Sequence, residues 1–336
     1  MKSKFLSVIL FVSMLTALVG CATPPTSAPA TPTAQSAAPD FSGKKVVWVD
    51  SYHSGYEWSD GIQAGIQSVL EGSGVELKII HMDTKRNPDV SFCEAAGKSA
   101  KAEIDAFQPD VLIATDDNAQ KCLVVPYYKG GNLPVVFAGV NWTADAYGYP
   151  ASNVTGMIEI DLVEQAIALV QLYAKGERIA YVTIDSETEQ KIAAVYNQRF
   201  FAGQMQYYGA ATQQEFKDTF LTAQQESDIV LVSNNAGAPD WNEDQMKQFM
   251  LDHTSVPTIS VNRWMASYVL ADVGKVPEEH GEWAAQAALK ILGGTPPAQI
   301  PVEQNKKGRL ILNLNLAEKL NIAFPPSVLK NAEIAP

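Results

Sequence analysis

The chain has 336 residues, 46% of them hydrophobic, and its 37 acidic residues outnumber 25 basic ones to give a formal charge of −12. Removing the first twenty residues takes away two lysines and no acid, which leaves a charge of −14. An acidic body without a basic stripe argues against nucleic acid as a partner and against adhesion to anionic lipid. About 290 residues remain for folding, enough for two lobes of ordinary domain size.

Residues 1–20 have the pattern of a secretion signal peptide. Lys2 and Lys4 form a basic start, and Phe5–Val19 is an apolar run too short and wrongly flanked for a permanent membrane helix. The run ends in Leu18-Val19-Gly20-Cys21, which resembles a bacterial lipobox, where cleavage precedes the cysteine and the cysteine carries lipid. We therefore expect Cys21 to be lipidated and to anchor the protein, because several acyl chains together hold firmly in a membrane.

Residues 21–41 are predicted to be the lipidated cysteine and a flexible linker. Ala22–Pro39 is rich in Ala, Thr, Pro and Ser and carries no charge, so it cannot bury a core. The folded body is expected to begin near Ser42. The predicted location is the cell envelope, with the body anchored to the membrane and facing the periplasm or the cell exterior.

Two cysteines lie in the predicted body. Cys93 is near the start of one predicted helix, and Cys122 is in the helix that follows the next strand, so the two could meet on one face of a sheet. An exported compartment permits a disulfide between them. The alternative is two separate buried thiols, since free cysteine is among the most buried residue types.

Four strand–helix units fill the first part of the body. The predicted strands are Val46–Val49, Val75–Met82, Val111–Ala114 and Val135–Ala138. Repeated units of this length predict a doubly wound parallel sheet. Gly139 is expected to turn the chain away after the fourth strand, which leaves Asn141 and Trp142 at its carboxyl end.

A second series of the same kind follows. Its predicted strands are an extended segment at 154–159, then 179–184, 229–232, 256–260 and about 268–271, and its predicted helices are 162–173, 190–208, 240–252 and 279–292. The fold class is therefore α/β, with two doubly wound parallel-sheet lobes joined by a multi-strand hinge. The predicted bounds are 42–153 plus about 264–294 for lobe 1, and 154–263 plus about 295–336 for lobe 2.

The sequence contains no motif for covalent or metal-dependent catalysis. It has no G-x-S-x-G, no glycine-rich phosphate loop and no H-E-x-x-H, and its four histidines are scattered. Glu278-Glu279-His280 is the nearest approach to a metal cluster, but acids suit the start of a helix. Asp116-Asp117 could be an acid pair for hydrolysis, or one of them could cap the following helix. We therefore predict that the protein is not an enzyme and uses no metal or cofactor.

Polar and aromatic residues follow most of the predicted strands. In open α/β sheets, ligands bind outside the carboxyl ends of the strands, so these residues are candidates for ligand binding. The aromatic ones could stack on a ring, the acids could accept hydrogen bonds from an ammonium group, and the others could bond a carboxylate or an amide. The candidates are Ser51, Tyr52, Trp58, Asp116, Asp117, Asn118, Asn141, Trp142, Glu159, Asp185, Asn234 and Arg263.

Three of these candidates have an equally simple structural interpretation. Trp58 lies at helical spacing with Ile62 and Ile66, a pattern that is also typical of a core residue. Asp185 could cap the helix that follows it, and Arg263 could hold the hinge.

A set of sequence blocks resembles one protein family. The blocks are Ser51-Tyr52-His53 with Tyr56 and Trp58, Met82–Arg86, Asp116–Ala119, Val136–Asn141, Thr155-Gly156 with Glu159, Leu310–Asn313 and Ala317–Ile322 before Pro325-Pro326. From about Lys45 onward the chain is similar to ABC-transporter substrate-binding lipoproteins with a type 1 periplasmic-binding-protein fold. Close relatives of that family form the extracytoplasmic sensor domains of some bacterial histidine kinases. The resemblance implies two α/β lobes, a hinge and a ligand in the cleft between the lobes.

The resemblance also implies a function. A solute-binding lipoprotein of this kind would capture a small polar ligand, aromatic or amino-acid-like, and deliver it to an ABC permease. Some family members bind aromatic amino acids, but Asp50–Trp58 matches the sensor-like branch instead. No kinase region follows and a lipobox precedes, which favours transport; the alternative is an extracytoplasmic sensor that signals through a partner. The expected partners are a small molecule, a permease and the membrane through the lipid, with no nucleic acid, and the expected state is a monomer.

Overall fold

The structure is a computed structural model that describes residues 40–335. The predicted signal peptide, the predicted lipidation site at Cys21 and nearly all of the predicted linker lie outside the described residues. The described part contains a six-stranded sheet and a seven-stranded sheet, each the centre of one lobe. Within it, every helix is too short or too polar to cross a membrane.

The first sheet is entirely parallel. Its strands are β1 (Lys45–Asp50), β2 (Glu76–His81), β3 (Val111–Thr115), β4 (Val135–Asn141), β5 (Val154–Glu159) and β11 (Glu303–Gln304). They lie in the order β11-β5-β4-β3-β1-β2. All of β3 and all of β4 except its last residue are buried, as expected for apolar strands that helices cover on both faces.

Helices cover both faces of this sheet. They are α1 (Glu57–Leu70), α2 (Val90–Phe107), α3 (Asp116–Ala119), α4 (Val125–Tyr127) and α9 (Pro277–Leu292), and a π-helical turn, Gln120–Val124, joins α3 to α4. Helices α1 and α9 pack with their backbones in direct contact. A Cβ atom on Gly281 would lie 2.0 Å from the carbonyl oxygen of Ile62, so only glycine allows this approach.

The second sheet mixes parallel and antiparallel pairs. Its strands are β6 (Ile179–Ile184), β7 (Gln206–Ala210), β8 (Ile229–Val232), β9 (Thr258–Ser260), β10 (Ala271–Lys275), β12 (Gly308–Leu312) and β13 (Ala332–Ile334). They lie in the order β13-β12-β10-β9-β8-β6-β7, and the β10–β12 pair is antiparallel. Its helices are α5 (Val163–Gln171), α6 (Glu187–Phe200), α7 (Gln213–Glu226), α8 (Glu243–His253), α10 (Leu314–Lys319) and α11 (Pro326–Leu329), with a 3-10 helix at Arg263–Tyr268.

Helices α6, α7 and α8 begin at side-chain caps that the sequence encodes. The N-cap side chains of Ser186, Thr212 and Asn242 each accept a hydrogen bond from the backbone N–H three residues further on. That third residue is Glu or Gln in every case, which is the pattern of a capping box. Each cap satisfies a backbone donor that has no partner within the helix.

The chain crosses between the lobes three times: after β5, after β10 and after β11. The ammonium of Lys275, at the end of β10, contacts Glu159 and lies 2.8 Å from the carboxylate of Asp161, so it ties the first two crossings together. The amide side chain of Asn305 bonds both backbone groups of Ile160 and ties the third crossing to the first. The two-lobed α/β fold with a multi-strand hinge is therefore confirmed.

The predicted lobe bounds differ from the structure at the crossings. The prediction put the start of lobe 2 at residue 154, but β5 pairs with β4 and belongs to the first sheet. Residues of β10 were assigned to lobe 1 but pair with β9, and β11 was assigned to lobe 2 but pairs with β5. Hinge strands are short and extended, and their sequences do not show which sheet they join.

Three element predictions were also wrong. The strand predicted at about 268–271 is displaced, because a 3-10 helix ends at Tyr268 and β10 spans Ala271–Lys275. The predicted helix 190–208 ends at Phe200, and the chain turns at Gly203 so that β7 can pair with β6. Gly139 does not end β4, which continues to Asn141. Instead, Gly139 has a φ of 71° and lies at a β-bulge where the pairing with β5 shifts by one residue.

Cys93 and Cys122 form a disulfide in the structure, with their Cα atoms 5.9 Å apart. Cys93 belongs to α2 and Cys122 to the π-helical turn. The bond therefore links α2 to the helical segment that starts at Asp116.

Candidate functional site

A cavity of about 520 Å³ lies between the two lobes. It opens at the carboxyl ends of the strands, where ligands bind in open α/β sheets. The first lobe lines it with Tyr52, Tyr56, Glu57, Trp58, Lys85, Asp116, Asn141 and Glu159. The second lobe and the crossings add Val261, Asn262, Arg263, Trp264, Asp272, Gly274, Lys275, Pro277, Arg309 and Ile311.

Aromatic side chains form much of the wall from the first lobe. The rings of Tyr52 and Tyr56 meet edge to face with centroids 5.4 Å apart, and the ammonium of Lys85 lies 5.2 Å from each centroid. Burial, together with the nearby carboxylate of Asp116, raises the pKa of Tyr52, so its phenol stays neutral. Tyr52 and Trp58 are half-buried, and their faces can hold a flat ring.

Asp116 is the most confined acid from the first lobe. It follows β3 in a left-handed backbone conformation (φ 66°) and is 2% exposed. Its Oδ1 accepts a hydrogen bond of 2.8 Å from the indole N–H of Trp58, whereas its Oδ2 has no partner among the described residues. Burial, followed by the negative charges of Glu159 and Asp50, raises the pKa of Asp116 well above its usual range.

Gly139 makes room for this acid. A Cβ atom on Gly139 would lie 2.9 Å from Oδ1 of Asp116, and the backbone at Gly139 is itself left-handed. The bulge in β4 and the turn after β3 therefore fit together, which only a glycine at this position permits.

A charged pair marks the hinge side of the cavity. Burial raises the pKa of Glu159, and the ammonium of Lys275 beside it acts in the opposite direction. For Lys275, burial acts to lower the pKa, but Glu159 and Asp161 together raise it above its ordinary value. Lys275 is therefore a cation whose charge two acids already compensate.

His280 lies behind this wall and is fully buried, 5.3 Å from the Trp58 ring. Burial, with a contribution from Lys275, lowers its pKa to about 3, so its imidazole is neutral. Within residues 40–335, no group of three His, Cys, Asp or Glu side chains is arranged to hold a metal ion.

Asp272 is the matching acid from the second lobe. It lies on β10, is fully buried, and neither of its carboxylate oxygens has a hydrogen-bond partner among the described residues. Burial raises its pKa to about 7, and the backbone N–H groups of Asn262 and Gly274, the hydroxyl of Ser260 and the charge of Arg263 offset this in part. The cavity thus has a buried acid with an unpaired oxygen on each side.

One ion pair spans the mouth of the cavity. Arg263, at the start of the 3-10 helix of the second lobe, donates to the carboxylate of Glu57 on α1 of the first lobe. Both side chains are largely exposed, so the pair is screened by solvent. Arg309 on β12 lies 3.4 Å from Glu333 of its own lobe.

Six of the twelve predicted site residues line the cavity: Tyr52, Trp58, Asp116, Asn141, Glu159 and Arg263. Three others from the first lobe support it from behind. Ser51 is fully buried and donates to the carbonyl of Thr115, Asn118 donates to Thr84, and Asp117 accepts from the side chains of Asn141 and Tyr147. Their short polar side chains fix the strand ends and do not reach the ligand space.

Trp142 does not line the cavity, contrary to the prediction. Its backbone is left-handed (φ 60°), and its indole lies outside the cavity lining. The ring packs against the second lobe, 5.6 Å from Tyr196 and 6.4 Å from Phe200, with the guanidinium of Arg199 5.6 Å from its centroid. It therefore belongs to the junction between the lobes.

Asp185 and Asn234 also lie outside the cavity. Asp185 is exposed and accepts hydrogen bonds from Tyr207 and Gln190. Asn234 donates to Glu189 and lines a separate pocket of about 470 Å³ on the second lobe. Both follow strands on the far side of the second sheet from β10, and for this reason they do not reach the first lobe.

Sequence reasoning did not identify Asp272, Lys275 and Arg309, which lie on β10 and β12. These strands sit beside the cleft only because the chain crosses between the lobes three times. The one available signal for Asp272 was its position directly after the predicted strand at about 268–271.

Comparisons with known proteins agree with this architecture. Residues 253–335 match a family model described as ABC transporter substrate binding protein. A search of curated proteins finds no match. The matched segment contains β10 and β12, and with them the second-lobe side of the cavity.

Solved structures share the fold across nearly the whole described body. The ligand-free, open structure of a substrate binding protein with adhesive properties from Clostridium difficile is 16% identical and has a TM-score of 0.66, covering 87% of this chain and 99% of that one. An ABC domain from Streptococcus pneumonia in complex with L-Trp is 19% identical with a TM-score of 0.53, covering 88% and 100%. A conserved domain protein from Vibrio cholerae is 18% identical with a TM-score of 0.53, covering 87% and 99%.

The family model and the relative from Clostridium difficile are both described as substrate binding proteins, and the structure from Streptococcus pneumonia holds L-Trp. The chain therefore has the type 1 periplasmic-binding-protein fold and is similar, over residues 253–335, to the ABC-transporter substrate-binding family.

Proposed function

We propose that this protein is a solute-binding lipoprotein that takes a small, polar, ring-bearing ligand into the cleft and delivers it to an ABC permease. The observation that carries the proposal is the cavity of about 520 Å³ lined from both lobes by aromatic and charged residues. A space of this size suits a small metabolite, and a few placed polar groups among aromatic walls are typical of a ligand pocket.

The mechanism follows from the position of the cavity. A ligand that touches both lobes stabilises the closed arrangement by its differential affinity for it. Hinge closure of this kind is the motion that periplasmic binding proteins use, and the three crossings provide the hinge. A permease would then recognise the closed form and receive the ligand.

The chemistry of the walls supports a ligand with a ring. Tyr52, Trp58 and Trp264 expose aromatic surface to the cavity, and Asn141 offers an amide beside them. L-Trp occupies the relative from Streptococcus pneumonia, whose fold this chain shares. An aromatic or amino-acid-like ligand is therefore the first class to test.

Anchoring at Cys21 and a location in the cell envelope belong to the same proposal, as does a monomeric state. The anchor and the location are supported by the basic start, the apolar run and the lipobox-like ending of residues 1–21. Labelled lipid should be incorporated by the wild type and not by the Cys21→Ser variant, which should appear in the soluble fraction. If the wild type takes up no label, the proposed lipid anchor is wrong, whereas the proposal of ligand binding in the cleft is unaffected.

The ligand is best identified from the full chain purified in mild detergent, by mass spectrometry of the small molecules that it retains. The ligand found should raise the melting temperature by mass action and reduce the radius of gyration in scattering. Association with a permease would support transport, whereas association with a histidine kinase would support the sensing alternative. If no small molecule co-purifies or binds, the proposed function fails.

A further inference from the structure

Two buried acids line the cavity from opposite lobes, and each has at least one carboxylate oxygen without a well-formed hydrogen bond among residues 40–335. Asp116 is 2% exposed with Oδ2 unpaired, and Asp272 is 0% exposed with both oxygens unpaired, among the described residues. Asp116 comes from the turn after β3 and Asp272 from β10, so a group that meets both must bridge the lobes. Most buried polar atoms in proteins have a partner, and these exceptions lie where a ligand would sit.

The other acids that line the cavity already have cations. Glu57 pairs with Arg263, and Glu159 pairs with Lys275. Arg309 pairs with Glu333, outside the cavity lining. Lys85 lies over the rings of Tyr52 and Tyr56 near the mouth.

Asp116 and Asp272 are therefore the acids of the described cavity lining that lack a cationic partner. Burying a carboxylate without a partner is strongly unfavourable, and a positively charged donor removes that penalty. An anionic ligand would add to it. The two positions thus select for the sign of the ligand's charge.

We infer that the ligand is a small organic cation, an amine, amidine or guanidine on a flat ring system, whose N–H groups donate to both Asp116 and Asp272. This inference rests on the proposed function, because it names the class of ligand for the same cleft. The ring would lie against Tyr52 and Trp58, which border Asp116. Donors that reach both lobes would hold the closed arrangement.

The first part of the test needs no ligand. The melting temperature of the ligand-free full chain at pH 8 is compared with those of Asp116→Asn and Asp272→Asn, with Asp218→Asn as control. Asp218 is exposed on α7 and accepts a hydrogen bond from Gln214. Replacing a buried acid that has an unpaired oxygen by the neutral amide should raise the melting temperature by about 2–4 °C in each cavity variant and leave the control unchanged. A lower melting temperature in both cavity variants would overturn the inference, because the acids would then have partners in the protein.

The second part uses matched probes that differ in charge. Tryptamine and phenethylamine are compared with indole-3-acetate and phenylacetate by calorimetry and thermal shift. We expect an amine to bind roughly tenfold or more tightly than its matching acid, and each cavity variant to lose roughly tenfold or more of the amine affinity, with Asp218→Asn unchanged. Equal or tighter binding of the acids, no binding of either amine, or full amine affinity in both cavity variants would each overturn the inference.

The two proposals fail in distinguishable ways. If an acid binds and scattering shows that the lobes close around it, the binding function stands and the inference of a cationic ligand falls. If neither probe set nor any co-purifying metabolite binds, both fall.

Discussion

Asp116 shows how a single residue can be placed for binding at the cost of local strain. Its left-handed backbone (φ 66°) turns the carboxylate toward the indole of Trp58, and the left-handed Gly139 (φ 71°) lies against it without a side chain. Non-glycine residues rarely adopt this conformation, and Asp and Asn are among those that do so most easily. The position of the acid thus depends on the turn after β3 and on the bulge in β4, and not on the strand alone.

Substituting Gly139→Ala should separate strain from site geometry. The added Cβ would lie 2.9 Å from Oδ1 of Asp116, whereas Gly72, with a similar φ of 74°, has no atom within 4 Å of its Cβ position. Both Gly139→Ala and Gly72→Ala should lose about 1–2 kcal/mol of unfolding free energy through the left-handed backbone. Only Gly139→Ala should also lower the affinity for the co-purified ligand, which calorimetry measures. Equal affinity in the two variants would refute the effect of residue 139 on Asp116.

Trp142 and Trp264 make a second matched pair. Trp142 packs on Tyr196 and Phe200 at the lobe junction, whereas Trp264 is 59% exposed at the cavity. Trp142→Ala should lower the unfolding free energy by about 2–3 kcal/mol, since it removes a partly buried aromatic contact. Trp264→Ala should change the unfolding free energy little and lower the affinity for the ligand. Urea unfolding measures the first quantity and calorimetry the second. The reverse pattern would show that the two rings have been assigned wrongly.

At the scale of elements, the disulfide holds the helical segment that begins at Asp116. A bridge between Cys93 and Cys122 closes a loop with a sequence separation of 29 residues. Chain entropy alone gives such a closure about 3–4 kcal/mol of stabilisation. Cys93→Ser should therefore lower the urea midpoint, and the unfolded, unreduced protein should show no free thiol at either cysteine; two such thiols would disprove the bridge.

Apolar runs bounded by turn residues were enough to predict five strands of the first sheet and β6, β8 and β9 of the second, because strands covered on both faces, such as β3 and β6, are continuously hydrophobic. The hinge strand β11 and the late strands β12 and β13 were not predicted. The edge strand β7 was missed since its residues are largely exposed. The direction of a strand-end side chain was harder still. Asp116 and Trp142 both follow strands, and both have positive φ, yet one turns into the cleft and the other away from it. Only the packing of the second lobe decides between them.

At the scale of the whole molecule, the three crossings both join the lobes and place acids at the cleft. Strand β10 runs from the second sheet toward the hinge, so Asp272 lies at the cavity and Lys275 lies at the crossing. No local pattern could predict that this strand would meet residues more than a hundred positions earlier in the chain. Asp272, Lys275 and Arg309, which were not among the predicted site residues, depend on this long-range arrangement.

The same acid should make stability depend on pH. Asp272 has a folded-state pKa of about 7 against an ordinary value of 3.8, so between these pH values the folded protein keeps a proton that the unfolded chain has released. Stability should therefore fall as pH rises through this window and level off above it. Asp272→Asn should remove on the order of 2–4 kcal/mol of that fall.

Urea unfolding of the ligand-free protein at pH 5 and pH 8 measures this effect. Comparing wild type with Asp272→Asn cancels the contributions of most other acids, including the raised pKa of Asp116, which acts in the same direction. If the unfolding free energy of the variant changes between pH 5 and pH 8 as much as that of the wild type, Asp272 does not titrate in this range.

The hydrogen bond from the Trp58 indole to Asp116 also has an optical consequence. The emission of an indole depends on the polar groups beside its ring, and a ligand that bonds to Asp116 would change the group to which this indole donates. Of the six tryptophans in the chain, Trp58 is the one bonded to this carboxylate. The protein thus carries its own fluorescent reporter, and its occupancy could be followed in real time without a dye, with Trp58→Phe as the silent reference.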